Sequence, residues 1–162
     1  MGTMADRSLR MPGGDKRLHF TMGIDIARPP EVIWPYLVDW ENLGRWMLEG
    51  EGFRVIGDRR EGVGTEAEAS IRVGGIRTTD RVEVTRWEPP CILEIRHHGW
   101  VSGLGYMELG PAEEGSHLFW RETLRPPYGI LGRIGLRFFS RPMRRIFKRD
   151  LEVLKDLVET ET

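Results

Sequence analysis

The segment HLFWRETLRPP, residues 117–127, puts a carboxylate on the apolar side of a strand. With two-residue alternation, Leu118, Trp120, Glu122 and Leu124 share one face. A carboxylate there needs a partner, because a polar group left unpaired away from water costs roughly 2–7 kcal/mol. Two upstream segments supply candidates. In IRTTDRVEV the face of Ile76, Thr78, Val82 and Val84 carries Asp80, and in CILEIRHH the face of Cys91, Leu93 and Ile95 carries His97 and sends His98 to the other side. Asp80, His97 and Glu122 together would orient a ligand by hydrogen bonds. The same set suits general acid–base chemistry, since burial and neighbouring charge move such groups toward neutral pKa values.

Hairpin geometry decides whether the three can meet. A tight turn at Glu88-Pro89 sets Asp80 opposite His97, and a slip of two residues sets Val82 there with Asp80 diagonal to it. A short turn around Gly99 and Trp100 puts His97 opposite Gly103 or Gly105, and the turn at 112–115 puts one of those glycines opposite Glu122. Strands two apart lie roughly 9 to 10 Å from each other. With only a glycine between them, His97 and Glu122 reach toward each other or toward a shared ligand.

Other chemistry finds less support. His19, His98 and His117 have no spacing that assembles a metal site with His97, so no metal is expected. There is no phosphate-binding glycine loop, no dinucleotide fingerprint and no nucleophile motif, so no cofactor is expected either. Cys91 reads as a small buried hydrophobe on an inner strand face. Tyr106 falls on the outer face by alternation. Gly103 and Gly105 read as sheet curvature and cavity room.

Composition narrows the class. The chain has 162 residues, one cysteine and a formal charge of -1. That length suits one domain with a core and a pocket. The near-neutral balance lacks the basic field of a nucleic-acid binder, so no nucleic-acid partner is expected. One cysteine excludes an internal disulfide framework, and a cytoplasmic location is expected. No run of roughly 18 apolar residues could span a membrane. Residues 1–17 are polar and read as a disordered tail ahead of a domain over 18–160.

The elements that must position the candidate residues follow from periodicity. HFTMGIDI alternates as a half-buried strand. Pro29 and Pro30 suit a helix start before the stripe Ile33, Trp34, Leu37 and Val38; Pro35 should end or kink that helix, with a second short one at ENLGRW. Six closely spaced strands then predict an antiparallel meander, ending with HLFWRETL. From Ile134 the period becomes helical. Phe139, Met143, Ile146, Phe147, Val153, Leu154, Leu157 and Val158 share one side; Arg133, Arg137, Arg141, Arg144, Arg145 and Lys148 share the other. Pro142 suggests a restart, giving a main helix over about 142–159 after a separate or kinked turn.

This order, and the local text IDIARPPEVIWPYLVDWENLGRW, GVGTEAEASIRVGG, VTRWEPPCILEIR and GSHLFWRETLRPP, resembles the START-like or SRPBCC superfamily over about residues 19–159. The likeness is greatest to its polyketide cyclase/dehydrase and lipid-transport branch. It implies an α+β helix-grip fold: a curved antiparallel sheet of about seven strands wrapped around a long C-terminal helix, with two short helices after the first strand. It also implies an apolar ligand held between sheet and helix. Candidate lining residues are Ala67, Ala69, Ile71, Thr78, Asp80 and Ile95 from the central strands, with His97. Gly103, Gly105, Met107, Trp120 and Glu122 follow from the later strands, and Phe139, Met143 and Phe147 from the helix. Trp46 and Met47 are candidates for a lid.

Three functions are open at this level. The first is noncatalytic binding or carriage of a small hydrophobic molecule such as a lipid, polyketide or isoprenoid. The second is a cyclase or dehydratase using His97, Asp80 and Glu122 as acid and base. The third is a peripheral membrane or protein-docking module acting through the basic segment 133–149, where Arg133, Arg137, Arg141, Arg144, Arg145 and Lys148 would touch an anionic surface.

Overall fold

The computed structural model describes residues 17–73, 75–125 and 129–161. Its first strand, β1 (Leu18–Ile26), buries Phe20 and Ile26 and leaves the alternating positions Thr21, Gly23 and Asp25 exposed. Helix α1 (Pro30–Val38) and a 3-10 helix (Trp40–Arg45) follow. The meander is β2 (Gly50–Ile56), β3 (Glu66–Val73), β4 (Ile76–Glu88), β5 (Ile92–His98), β6 (Ser102–Pro111) and β7 (Ser116–Arg125). A long helix, α2 (Gly129–Glu161), completes the chain's described elements.

All neighbouring strands are antiparallel, in the order β1-β7-β6-β5-β4-β3-β2. The sheet is open, with β1 and β2 as its edges. Its inner face meets α2 in one apolar core that joins Ile26, Ile33, Trp34 and Leu37 to Leu93, Leu109, Leu118 and Trp120, and to Leu151, Leu154 and Val158 of the helix. This is the expected α+β helix-grip architecture. The N-terminal tail expected over 1–17 lies outside the described residues except for Arg17.

Both prolines that should interrupt helices are accommodated within them. Pro35 lies inside α1 and Pro142 inside α2, so the expected restart at 142 gives way to one helix from 129 to 161. A proline removes the bond to the carbonyl four residues back. Here those carbonyls belong to Glu31 and Phe138, and all four residues are exposed, so water can satisfy the vacated acceptor. Packing of Ile33, Trp34 and Leu37 then holds α1 together.

Cys91 also departs from expectation. It sits in the turn before β5 and is exposed, its amide donating to the Glu88 carbonyl at 2.8 Å. The strand begins one residue later than the alternation suggests, and the turn's own hydrogen bond fixes the cysteine outside it.

Candidate functional site

The position of Asp80 is set by an irregularity in the sheet. Strand β4 is paired so that Val82 faces His97, and a register shift lies between Val84 and Arg86. That shift selects the slipped register, and Asp80 lies opposite Ala69 of β3 while standing diagonal to His97. The diagonal is short enough for contact: His97 Nδ1 is 2.6 Å from Asp80 Oδ2. The other carboxylate oxygen, Oδ1, accepts the Gly99 backbone N–H at 3.0 Å. With both oxygens engaged, Asp80 holds the imidazole plane and keeps a proton on Nδ1.

Glu122 approaches from the other side. His97 is paired with Gly103 and Glu122 with Gly105, so the two are offset by one alternation rather than sharing a row. The bare glycine resolves the offset. A Cβ on Gly105 would lie 2.8 Å from Glu122 Oε1 and 3.0 Å from Ile95 Cγ1, so the carboxylate occupies the place of the missing side chain. Gly103 serves a different purpose, because a Cβ there would meet the Thr123 carbonyl oxygen at 2.2 Å. The expected cavity room at these glycines is therefore filled by β7 itself, by its carboxylate in one case and its backbone in the other.

Glu122 Oε1 accepts the Trp120 indole N–H at 2.8 Å. Its second oxygen, Oε2, is 3.2 Å from His97 Nε2. The two form an ion pair, and both atoms are buried with no other partner among the described residues. Glu122 itself is only 4% exposed. Burial, the largest single influence on His97, pulls its pKa down. The Nδ1 bond to Asp80, the Glu122 contact and the charge of both carboxylates outweigh it and push the pKa up to about 10. At neutral pH the ring is therefore an imidazolium with a proton on Nε2.

An aromatic wall flanks this triad. Trp120 meets Trp46 at 6.0 Å and Phe147 at 5.0 Å between ring centroids, and Phe147 meets Phe20 at 5.9 Å. Phe20 is the β1 partner of Glu122. Trp46 is 1% exposed, which makes it part of the packed wall rather than an external lid; Met47 is half-buried beside it. Ala67, Ala69 and Met107 are buried on the same sheet face. Ile71, Thr78, Ile95 and Met143 are partly buried. For Phe139, Arg133 and Arg137 only the helical backbone is described, and their side chains lie outside the described residues.

Sequence reasoning missed two contributors. Gly99 supplies a backbone donor to Asp80, which no side-chain pattern announces. Asp150 on α2 is buried and accepts the Leu48 amide at 3.3 Å, tying the helix to the segment after Trp46. Its place on the inner face of the helix, between Phe147 and Leu154, was the available signal. Burial, its main influence, pushes the Asp150 carboxyl up to about 6, against the opposing effects of the Leu48 amide and Arg149.

Comparison with known proteins bears on what such a site serves. A family model described as polyketide cyclase / dehydrase and lipid transport matches residues 17–159. An uncharacterized Mycobacterium tuberculosis protein, Rv1546, is 27% identical over 137 residues, covering 82% of this chain and 95% of its own. Among solved structures, TTHA0849 from Thermus thermophilus superposes with a TM-score of 0.74 at 19% identity, covering 90% of this chain and 99% of its own. The Zhui aromatase/cyclase from Streptomyces sp. R1128 gives a TM-score of 0.74 at 16% identity, with 88% and 94% covered. At these identities the two structures share the fold with this chain.

Proposed function

The chain belongs to the polyketide cyclase/dehydrase and lipid-transport family, and we propose that it binds or carries a small hydrophobic molecule whose oxygen-bearing end is held by His97 and Glu122. The observation that carries this reading is the buried ion pair of His97 Nε2 and Glu122 Oε2, whose two atoms have no other partner among the described residues, beside an aromatic wall. The ion pair leaves hydrogen-bonding capacity unused on both atoms, and a ligand hydroxyl that accepts from Nε2 and donates to Oε2 would use it. The aromatic wall of Trp46, Trp120 and Phe147 and the small residues Ala67 and Ala69 suit the apolar body of a lipid, polyketide or isoprenoid. The reading includes a cytoplasmic location, which the single cysteine permits.

Native mass spectrometry of the protein purified from its expression host, followed by denaturing extraction, tests this. An apolar, oxygen-containing molecule is expected, lost in Ala69→Phe and weakened in His97→Gln. An empty protein that also shows no thermal shift with any hydrophobic probe bearing a hydroxyl or carbonyl would sink the proposal.

A second reading, a cyclase or dehydratase, is favoured by the imidazolium proton on Nε2 beside a carboxylate. In a dehydration, Nε2–H would protonate the departing hydroxyl while Glu122 took the proton from the adjacent carbon, so that water leaves and a double bond forms. The two readings separate on turnover. A carrier returns its extracted ligand unchanged, whereas an enzyme converts it and loses that conversion in a folded His97→Gln.

A further inference from the structure

We propose that the N-terminal half of α2 docks the protein onto an anionic lipid bilayer. Between Glu122 and Asp150 the chain has no acidic residue, while eight of its 24 lysines and arginines fall there. At 100° per residue, Ile134, Phe138, Arg141, Arg145 and Lys148 lie within about 40° of one line along the helix, over about 21 Å. Met143, Phe147, Leu154 and Val158 fall on the opposite side, against the sheet. The stripe is therefore the solvent pole of the helix, and Phe138 there is 81% exposed and Ile134 51% exposed.

Two apolar side chains left this exposed add little to the core. They suit insertion at the level of lipid headgroups, with the basic residues beside them reaching the phosphates. The charges are also available. Arg54, Arg72, Arg77 and Arg81 on the sheet each pair with a carboxylate. Arg141 and Arg145 have none among the described residues, Lys148 has a loose one to Glu152 at 4.0 Å, and Arg144 lies over the Phe20 ring.

The charge order runs against helix stability. A helix favours acidic groups at its N-terminal end and basic groups at its C-terminal end. In α2 the first turn has no acidic residue and the last has no basic one, and the solvent pole turns acidic at Glu152 and Asp156. Such an arrangement makes sense when one half of the pole meets anions and the other half stays in water. The groove beside it fits the same role. It is an opening of about 460 Å³ between β1 and α2, floored by Met22, Ile24 and Leu151 and edged by Arg144, Lys148 and Glu152. Among the described residues no helix is long and apolar enough to cross a membrane, so contact would be at the surface.

Co-sedimentation of the full chain with vesicles tests the proposal. Binding is expected to vesicles containing phosphatidylglycerol and not to pure phosphatidylcholine, and to fall as salt rises. Each basic side chain near an anionic surface strengthens binding roughly five-fold, so Arg141→Glu with Arg145→Glu should weaken it at least about 25-fold. Phe138→Ser should weaken it independently with the charge unchanged, and Arg141→Gln with Arg145→Gln provides a gentler variant. Circular dichroism and retention of any core ligand should be unchanged in all of them. Equal partition onto both vesicle types, or full binding by the charge-reversed variant, overturns the proposal. So does binding to soluble poly-glutamate without vesicle binding, which would point to an acidic protein instead.

Discussion

His97 Nδ1 and Asp80 Oδ2 are 2.6 Å apart although the two residues are not cross-strand partners. A shift in register between Val84 and Arg86 puts Val82 opposite the histidine, and the carboxylate crosses the diagonal to reach it. The imidazole is thereby held between two acidic side chains that come from strands on either side of it.

Removing one of those acids should return His97 toward ordinary behaviour. In Asp80→Asn its pKa should drop from about 10 by at least about one unit. NMR titration of the His97 ring carbon and nitrogen shifts reads this directly. A wild-type ring that titrates near 6.5 would show that the carboxylates do not outweigh burial.

The same shift makes stability depend on pH. The folded-state pKa is raised above the ordinary 6.5, so the contribution of His97 is complete below about 6.5 and is lost as pH rises toward about 10. The difference in Tm between wild type and His97→Gln should therefore shrink across that interval. A difference that grows with rising pH would contradict the assignment.

Asp150 acts in a separate, lower window. Its carboxyl is pushed from 3.8 to about 6 in the folded protein, so the stability it contributes in the protonated form is present below about 3.8 and gone above about 6. Asp150→Asn, which keeps the acceptor for Leu48, should be more stable than wild type at pH 7 and close to it at pH 4. Thermal unfolding at the two pH values checks this.

The two glycines of β6 should respond differently to alanine. Gly103→Ala brings a Cβ against a backbone carbonyl, which cannot move without shifting β7, and should cost about 2–3 kcal/mol in urea unfolding. Gly105→Ala meets the end of the Glu122 side chain, which can swing aside, and should cost about 1 kcal/mol. The milder change should nevertheless perturb His97 more, because it displaces the carboxylate next to Nε2.

What was legible in the sequence was whatever is encoded within one element. Alternation put Asp80, His97 and Glu122 on inner strand faces, and the 3.6-residue period put Phe147 and Leu154 toward the sheet. The element order followed from those periods and the turns between them, and the helix-grip architecture from the family resemblance that this order carries. Tertiary structure decided how the elements meet. The slipped register of β4, the carboxylate seated over Gly105, the Gly99 donor and the offset between His97 and Glu122 depend on bulges and strand pairing, which bring together residues far apart in the chain. It also decided that Pro35 and Pro142 stay inside helices, that Cys91 faces solvent, and that Ile134 and Phe138 face away from the core. Local pattern sets which way a side chain points along its own strand or helix; only packing of the whole chain sets what it points at.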